Sequence, residues 1–337
     1  MKIAVGLSGG VDSAVSALLL KEQGHELVGV TMALGRADER KAVAEAQTVA
    51  DRLGVPLKVF DFASAWQKNV LAYIRDTYLG GATPNPCIRC NETVKFGLLP
   101  RAAFELGCER FATGHYARLV RRRGAPAASA ENVALLRGVD RAKDQSYFLY
   151  RVRPEILAKT VFPLGELTKP EVREIARKAG FEAADRSDSQ DFCGGDVREL
   201  LPSEPREGNI VRAADGKVLG THPGFWNYTI GKRKGLGIGG GTPYYVIGLD
   251  AARNEVLVGT REEAFARDLE LTDCVGTIDK SLPVKVRSAG EPKSLRDGIA
   301  GIAPGQSAVF YDGDEVVGGG IIRAPSKPAL SAQPLGQ

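Results

Sequence analysis

The chain of 337 residues contains no run approaching the roughly 20 consecutive apolar residues that cross a bilayer, which excludes a helical membrane span and leaves no membrane partner to expect. Met1-Lys2-Ile3-Ala4-Val5-Gly6 runs directly into a strand-like segment. It shows no separate apolar stretch with a cleavage site, so no secretory signal is expected and the expected compartment is the cytoplasm. Cysteine is scarce and odd in number, five in all, which argues against a disulfide framework and for reducing surroundings. Charge of one sign is lacking too: 45 basic residues stand against 41 acidic ones, and the net charge of +4 cannot by itself identify a polyanionic partner. No long internal repeat is visible. The Walker pattern, GK followed by Ser or Thr, is missing, as is the dinucleotide pattern G-x-G-x-x-G.

What is present is ordinary in bulk. Hydrophobic residues make up 43% and charged residues 26%, as in a soluble globular protein, and the length suits two or three domains. Strand-like runs at 2–7, 25–32, 57–62 and 110–113 alternate with helical periodicity at 12–23 and 39–53. Gly54 follows the second helix as a stop signal. This alternation predicts an α/β fold with a doubly wound parallel sheet, whose ligands gather at the carboxyl ends of the strands. Helical patterning persists to about Ala179, and beyond Cys193 the texture becomes rich in Gly and Pro with short β-like runs. The expected division is a catalytic domain at 1–200, a small central domain at 201–266, a β-barrel-like domain at 267–323 and a disordered tail at 324–337.

Ser8-Gly9-Gly10-Val11-Asp12-Ser13 lies between the first strand and the first helix. Small residues there let backbone N–H groups converge on phosphate oxygens, and the helix N-terminus adds about half a positive charge. A plain strand–helix turn capped by Ser is the alternative. Cys87 and Cys90 form a C-x-x-C within the proline-punctuated TPNPCIRCN, a pattern compatible with redox chemistry, metal binding or neither. Cys193 lies in a polar, glycine-flanked stretch where burial is not expected, whereas Cys108 and Cys274 have apolar neighbours and read as structural. Arg121-Arg122-Arg123, close to Arg118, reads either as a solvated hairpin tip or as an RNA contact.

The string SGGVDS resembles the PP-loop of ATP pyrophosphatases, which split ATP to AMP and pyrophosphate. The resemblance narrows further because SGGVDS is followed in order by TPNPCIRCN-x-x-x-KFG, ATGHYAR, LLRGVD-x-x-KDQSYFL, PLGELTKPEVREIA, DSQDFC, GxHxGFWNYTIGKRKGLGIGGG and PGQSAVFY…GGGII. Nearly end to end, the chain resembles the bacterial tRNA-specific 2-thiouridylases. The resemblance implies a sulfurtransferase acting on uridine 34 of tRNA. ATP would be held at Gly6, Leu7, Ser8, Gly9, Gly10, Val11, Asp12 and Ser13, with Asp12 helping to hold Mg2+. Met32 would meet adenine, and Gly114 would allow close approach of the nucleotide. Cys193 would carry a persulfide delivered by a sulfur-relay or cysteine desulfurase protein, and Cys90 would release the product, leaving a Cys90–Cys193 disulfide. Both would act as thiolates, with nearby positive charge expected. Asn85, Pro86 and Cys87 would flank the flipped base. Lys143, Asp144 and Gln145 would contact tRNA, with Gln145 reading the base edge, although Asp and Ser in KDQS equally suit a capped helix start. The basic segment Tyr228–Lys234 and Arg287 would add tRNA contacts.

Three features depart from that family pattern. Cys87 makes a third thiolate available, so Cys87, Cys90 and Cys193 could together ligate a 4Fe–4S cluster with one open iron site. The segment after Cys193 is short, with Gly194-Gly195 in place of bulkier residues. The C-terminal part is abbreviated, so an incomplete barrel is expected. A PP-loop synthetase acting on a small metabolite and a tRNA-binding protein without catalysis are the competing readings; neither needs Cys90 or Cys193.

Overall fold

The computed structural model describes residues 1–122, 133–181, 197–239 and 243–323. Cys193, Gly194-Gly195, Arg123 and the tail from 324 lie outside the described residues, and so do the expectations attached to them.

Strand β1 (Lys2–Gly6) is buried through its middle, leads into α1 (Val11–Glu22), and is followed by β2 (Glu26–Ala33), α2 (Glu39–Leu53) and β3 (Leu57–Asp61). Gly54 ends α2 in the left-handed conformation at φ 61°, the geometry that favours glycine in this position. Next come α3 (Ala63–Trp66), α4 (Ala72–Leu79), α5 (Pro86–Cys90), α6 (Leu99–Glu105) and β4 (Arg110–Ala112). A hairpin of β5 (Ala117–Arg121) and β6 (Val133–Arg137) precedes α7 (Pro154–Leu157), β7 (Thr160–Val161) and α8 (Lys169–Lys178). Thr168 and Glu171 form a capping box at the start of α8, and Pro170 sits in its first turn, where its missing N–H costs nothing.

The first sheet is parallel throughout, in the order β3-β2-β1-β4-β7. The chain winds one way from β1 to β3 and the other way from β4, so the strand order reverses between β1 and β4. A doubly wound sheet opens a crevice at that point. Helices cover both faces: α1, α2 and α8 pack with Val5, Leu7 and Ala112 on one, and α6 and α7 pack with Ala4, Val30 and Phe111 on the other. The predicted fold class holds.

The central unit is a four-stranded sheet, β10 (Tyr245–Asp250), β11 (Glu255–Gly259), β8 (Gly208–Arg212) and β9 (Val218–His222), packed on Phe225, Trp226 and Tyr228. Beyond it lie β12 (Phe265–Ala266), β13 (Leu271–Gly276), β14 (Val284–Lys285), β15 (Ile299–Ala300), β16 (Ser307–Asp312) and β17 (Glu315–Ile322). The C-terminal strands do not stand alone. Strand β17 pairs with β16, β13 and β6, so the β5–β6 hairpin of the first unit joins the C-terminal sheet. The short C-terminal segment is thus extended by strands from elsewhere in the chain. In β17, a Cβ at Gly319 would stand 2.8 Å from the Tyr150 ring, so only glycine lets the first unit pack this closely. The seam is a buried cluster of Ile88, Tyr147, Tyr150, Val309 and Tyr311.

Candidate active site

The nucleotide loop organises itself. The Ser8 N–H donates to Ser13 Oγ at 3.2 Å, the two hydroxyls lie 3.2 Å apart, and Ser13 Oγ donates to the Gly10 carbonyl at 2.9 Å. Gly9 has φ +75°, and a Cβ there would lie 2.4 Å from Glu45 Cβ, so α2 leaves room for no side chain. Gly10 stands at the N-cap of α1 without a side-chain cap, so the positive end of this 12-residue helix is left for another acceptor.

Asp12 points from the first turn of α1 toward Lys169 and Tyr116. Lys169 Nζ lies 2.8 Å from both carboxylate oxygens, and the Tyr116 hydroxyl donates to Oδ1 at 2.8 Å. Lys169 is 6% exposed, at the first position of α8. Neither residue was singled out from the sequence, although both lie in motifs that were, GHYAR and LTKPE. Their role depends on a meeting of distant segments that spacing does not reveal. The residues fit a triphosphate: an uncapped helix end with the Ser8 and Ser13 hydroxyls, and an ammonium held on the adjacent Asp12. They fit Mg2+ less directly, because the Asp12 carboxylate is already paired with Lys169. Gly114 lies beyond β4, beside the β1–β4 crevice. A Cβ on it would come within 2.8 Å of the Asp12 backbone, so the close approach it permits here is by α1 itself.

Met32 is half-buried near the end of β2, at the same edge of the sheet. Cys90 reaches that edge too: it is 5% exposed and packs with Leu34, Trp66, Val70, Ile74 and Val94, bordered by Met32 and Phe62. Asn85 caps α5, its Oδ1 accepting from the Ile88 N–H at 3.3 Å, and Pro86 opens the helix. Cys87 is exposed, one turn before the buried Cys90. Positive charge beside the pair comes from Arg89, which is tied to Glu92 at 3.0 Å and lies over the Tyr73 ring. A wide helical turn over Asn91–Lys95 follows at once; such turns recur at functional sites. Cys108 is buried, as expected, and burial pushes its thiol up. Cys274 departs from expectation. It is exposed, because the register of β13 against β17 shifts between Thr272 and Val275 and leaves Asp273 and Cys274 outside the regular ladder.

The loop before Ser146 is less open than expected. The Asp144 side chain is wholly buried: Oδ1 accepts from the Gly138 and Ser146 N–H groups at 3.2 and 3.1 Å, and Oδ2 faces Arg137 Nε at 3.5 Å and Lys285 Nζ at 3.6 Å. In this conformation the Asp144 carboxylate is an internal strut that holds the Gly138 and Ser146 N–H groups and is turned away from any RNA surface. Gln145 is half-buried, its Oε1 accepting from the Tyr116 N–H at 3.0 Å. Lys143 is half-buried and Arg141 exposed on the outer side of the loop. Arg287 spends its guanidinium on the Ile230 and Gly301 carbonyls, at 3.2 and 3.1 Å, joining the central and C-terminal units. Arg118 and Arg122 pair with Asp314 and Glu315, so this part of the run is neither a freely solvated tip nor unpaired charge, while Lys232, Arg233 and Lys234 are exposed. Cavities of about 500 and 520 Å³ open elsewhere, lined by residues such as Lys2, Glu26, Leu53 and Phe181 and by none from the nucleotide loop or the C-x-x-C.

Residues 1–194 match the family described as the tRNA methyl transferase HUP domain, residues 197–260 the tRNA methyl transferase PRC-barrel domain, and residues 281–322 an aminomethyltransferase beta-barrel domain. A protein of Endomicrobium trichonymphae named tRNA-specific 2-thiouridylase MnmA is 42% identical over 96% of this chain and 99% of its own. Proteins of the same name are 41% identical in Trichormus variabilis, over 95% of this chain and 98% of theirs, and 42% identical in Rhodospirillum centenum, over 99% and 95%. The chain belongs to the tRNA-specific 2-thiouridylase family. Membership agrees with the fold as built: a parallel sheet, a small central unit and a C-terminal β unit. In this family member the two described cysteines of the C-x-x-C differ in surroundings, one exposed and one set in an apolar cluster. Among the described residues, no group of three or more His, Cys, Asp or Glu is placed to hold a metal ion. No helix among them is long and apolar enough to cross a membrane.

Proposed function

We propose that this protein is an ATP-dependent tRNA 2-thiouridylase that replaces the 2-oxygen of uridine 34 with sulfur, in the cytoplasm. One observation carries the proposal: the uncapped, lysine-flanked nucleotide loop and Cys90 lie at the same carboxyl edge of one parallel sheet. An ATP-only role would not require the cysteine there, and an RNA-binding role would require neither.

The helix end of α1, Ser8, Ser13 and Lys169 would hold the triphosphate, and the uridine 2-oxygen would attack the α-phosphorus, releasing pyrophosphate. Mg2+, when bound, supplies charge neutralisation at the phosphates, and Asp12 would hold it once its carboxylate is released from Lys169. A persulfide on Cys193, supplied by a donor protein, attacks C2 and expels AMP. The Cys90 thiolate then attacks the Cys193 sulfur of the resulting linkage. The thiolated base departs, and the two cysteines are left as a disulfide that an external thiol reduces. The contrast between exposed Cys87 and buried Cys90 suits one internal nucleophile better than two ligands of one iron–sulfur cluster.

The test is thiolation of an anticodon-containing tRNA with ATP and a persulfide donor under anaerobic conditions. Cys90→Ala and Cys193→Ala should each lose thiolation while pyrophosphate release in a single turnover survives in both; AMP release should survive only in Cys90→Ala, because AMP leaves when the Cys193 persulfide attacks C2. Cys87→Ala should retain thiolation. Activity that survives loss of Cys193 rules out the persulfide route, and iron-dependent activity needing all three cysteines replaces it with a cluster.

A further inference from the structure

The loop Gly138–Ser146 touches the nucleotide side of the molecule at two places, and both lead to Asp12. Asp140 Oδ2 accepts from the backbone N–H of Lys169 at 2.9 Å, while its Oδ1 accepts from the N–H groups of Ala142 and Lys143 at 3.1 and 3.2 Å. Five residues on, Gln145 makes a two-way link with Tyr116: its N–H donates to the Tyr116 carbonyl at 2.9 Å and its Oε1 accepts from the Tyr116 N–H at 3.0 Å. The loop also lies flush on this strut, since a Cβ at Gly138 would stand 2.8 Å from the Tyr116 carbonyl oxygen. Lys169 and Tyr116 are the residues whose side chains hold the Asp12 carboxylate. The loop that carries Lys143 and Gln145 is therefore braced, through two independent hydrogen-bonded struts, against the charged group at the start of α1.

We propose that Asp140 is a positioning residue that couples RNA bound at this loop to the nucleotide site. It sets the place of Lys169 relative to Asp12, and Tyr116 is the parallel strut. The inference rests on the functional reading above, in which RNA meets the loop and ATP meets α1. Shifting the loop moves the backbone of Lys169 and Tyr116, and so redistributes the Lys169 ammonium between Asp12 and the phosphates. Coupling of this kind is reciprocal: what RNA does to ATP affinity, ATP does to RNA affinity.

The experiment measures binding of a non-cleavable ATP analogue by the full-length protein, with and without tRNA, and binding of tRNA with and without the analogue. In the wild type each ligand should tighten the other by roughly 5-fold or more, the lower end of ordinary coupling. Asp140→Asn keeps an oxygen for Ala142 and Lys143 and sets an amide against the Lys169 N–H. It should leave tRNA affinity within about 2-fold and reduce the mutual effect to below about 2-fold, with the melting temperature checking the fold. Tyr116→Phe removes only the hydroxyl that reaches Asp12 and should weaken the mutual effect; it decides the matter alone if Asp140→Asn does not fold. A wild type that binds both ligands independently, or variants that keep the full mutual effect, overturns the coupling and leaves the functional reading standing. A wild type that binds only one of the two ligands removes that reading and the inference with it.

Discussion

The nucleotide loop is closed by bonds between residues no more than five apart, Ser8 with Ser13 and Ser13 with Gly10. The C-x-x-C loop at the same end of the sheet is held from the far end of the chain. Gln306 Nε2 donates to the Thr83 and Pro84 carbonyls at 3.3 and 2.8 Å, and the Thr83 N–H donates to the Pro304 carbonyl at 2.7 Å. The Tyr147 hydroxyl donates to the Ser307 carbonyl at 2.9 Å and receives Asn85 Nδ2 at 3.5 Å. A loop closed by local bonds forms with its own strand and helix, although its Asp12 is held by Lys169 and Tyr116, more than a hundred residues away. The C-x-x-C loop has near ties as well, the Asn85 N–H donating to the Tyr73 hydroxyl and Arg89 Nε to the Asn69 carbonyl, each at 3.2 Å, but its Thr83–Pro84 arm is completed only when the C-terminal strands dock. The C-terminal unit, set apart from the first sheet by sequence, thus supplies supports for the C-x-x-C loop.

That contrast can be broken from either side. The largest effect is expected from Gly9→Val, which puts a β-branched side chain at φ +75° against Glu45. A cost of about 2–4 kcal/mol should distort the loop, so binding of an ATP analogue, measured by calorimetry, should be lost along with thiolation. Gln306→Ala is expected to act more narrowly. It leaves two carbonyls of the C-x-x-C loop without their partner, at about 1–3 kcal/mol, so thiolation should fall by about tenfold to a hundredfold while analogue affinity stays the same. Equal losses of both would show the two loops to be one unit.

The smallest effect concerns His115, next to Gly114 at the edge both sites share. Burial, aided by Lys95, holds its imidazole well below the usual value, and Nδ1 lies 2.8 Å from Thr113 Oγ1. The folded protein keeps this ring neutral while the unfolded chain takes up a proton below about pH 6.5. Its contribution is therefore complete above that pH and is lost as pH falls below it, by no more than about 1.4 kcal/mol per pH unit. Urea midpoints should decline from pH 7 to pH 5, and His115→Gln should flatten that decline. An unchanged slope would mean that the ring titrates alike in both states.

Much of this was legible in the chain itself. Apolar runs spaced by helical periods specify β1 and β2 and their helices, because burial on both faces of a parallel sheet demands such runs, whereas β3 at the sheet edge is only half covered. Gly54 marks a helix end, and SGGVDS marks a loop that closes on itself, since its bonding partners are its own neighbours. The pairing of Lys169 and Tyr116 on Asp12 was not legible, nor was the inward turn of Asp144. Buried ion pairs depend on which segments meet, and no local pattern records that. Cys274 misled for a related reason: apolar neighbours in sequence say little about which side of a strand faces the core until its register is set.

Composition and motif order by themselves determined the parallel sheet and the glycine-rich turn after its first strand, because these follow from periodicity and from bonds between near neighbours. Tertiary structure alone decided that a hairpin from the first unit joins the C-terminal sheet, that Gln306 holds the C-x-x-C loop, and that the loop before Ser146 braces both partners of Asp12. Those arrangements are set by packing and charge pairing between segments far apart in the chain, which exist only once the chain has closed on itself.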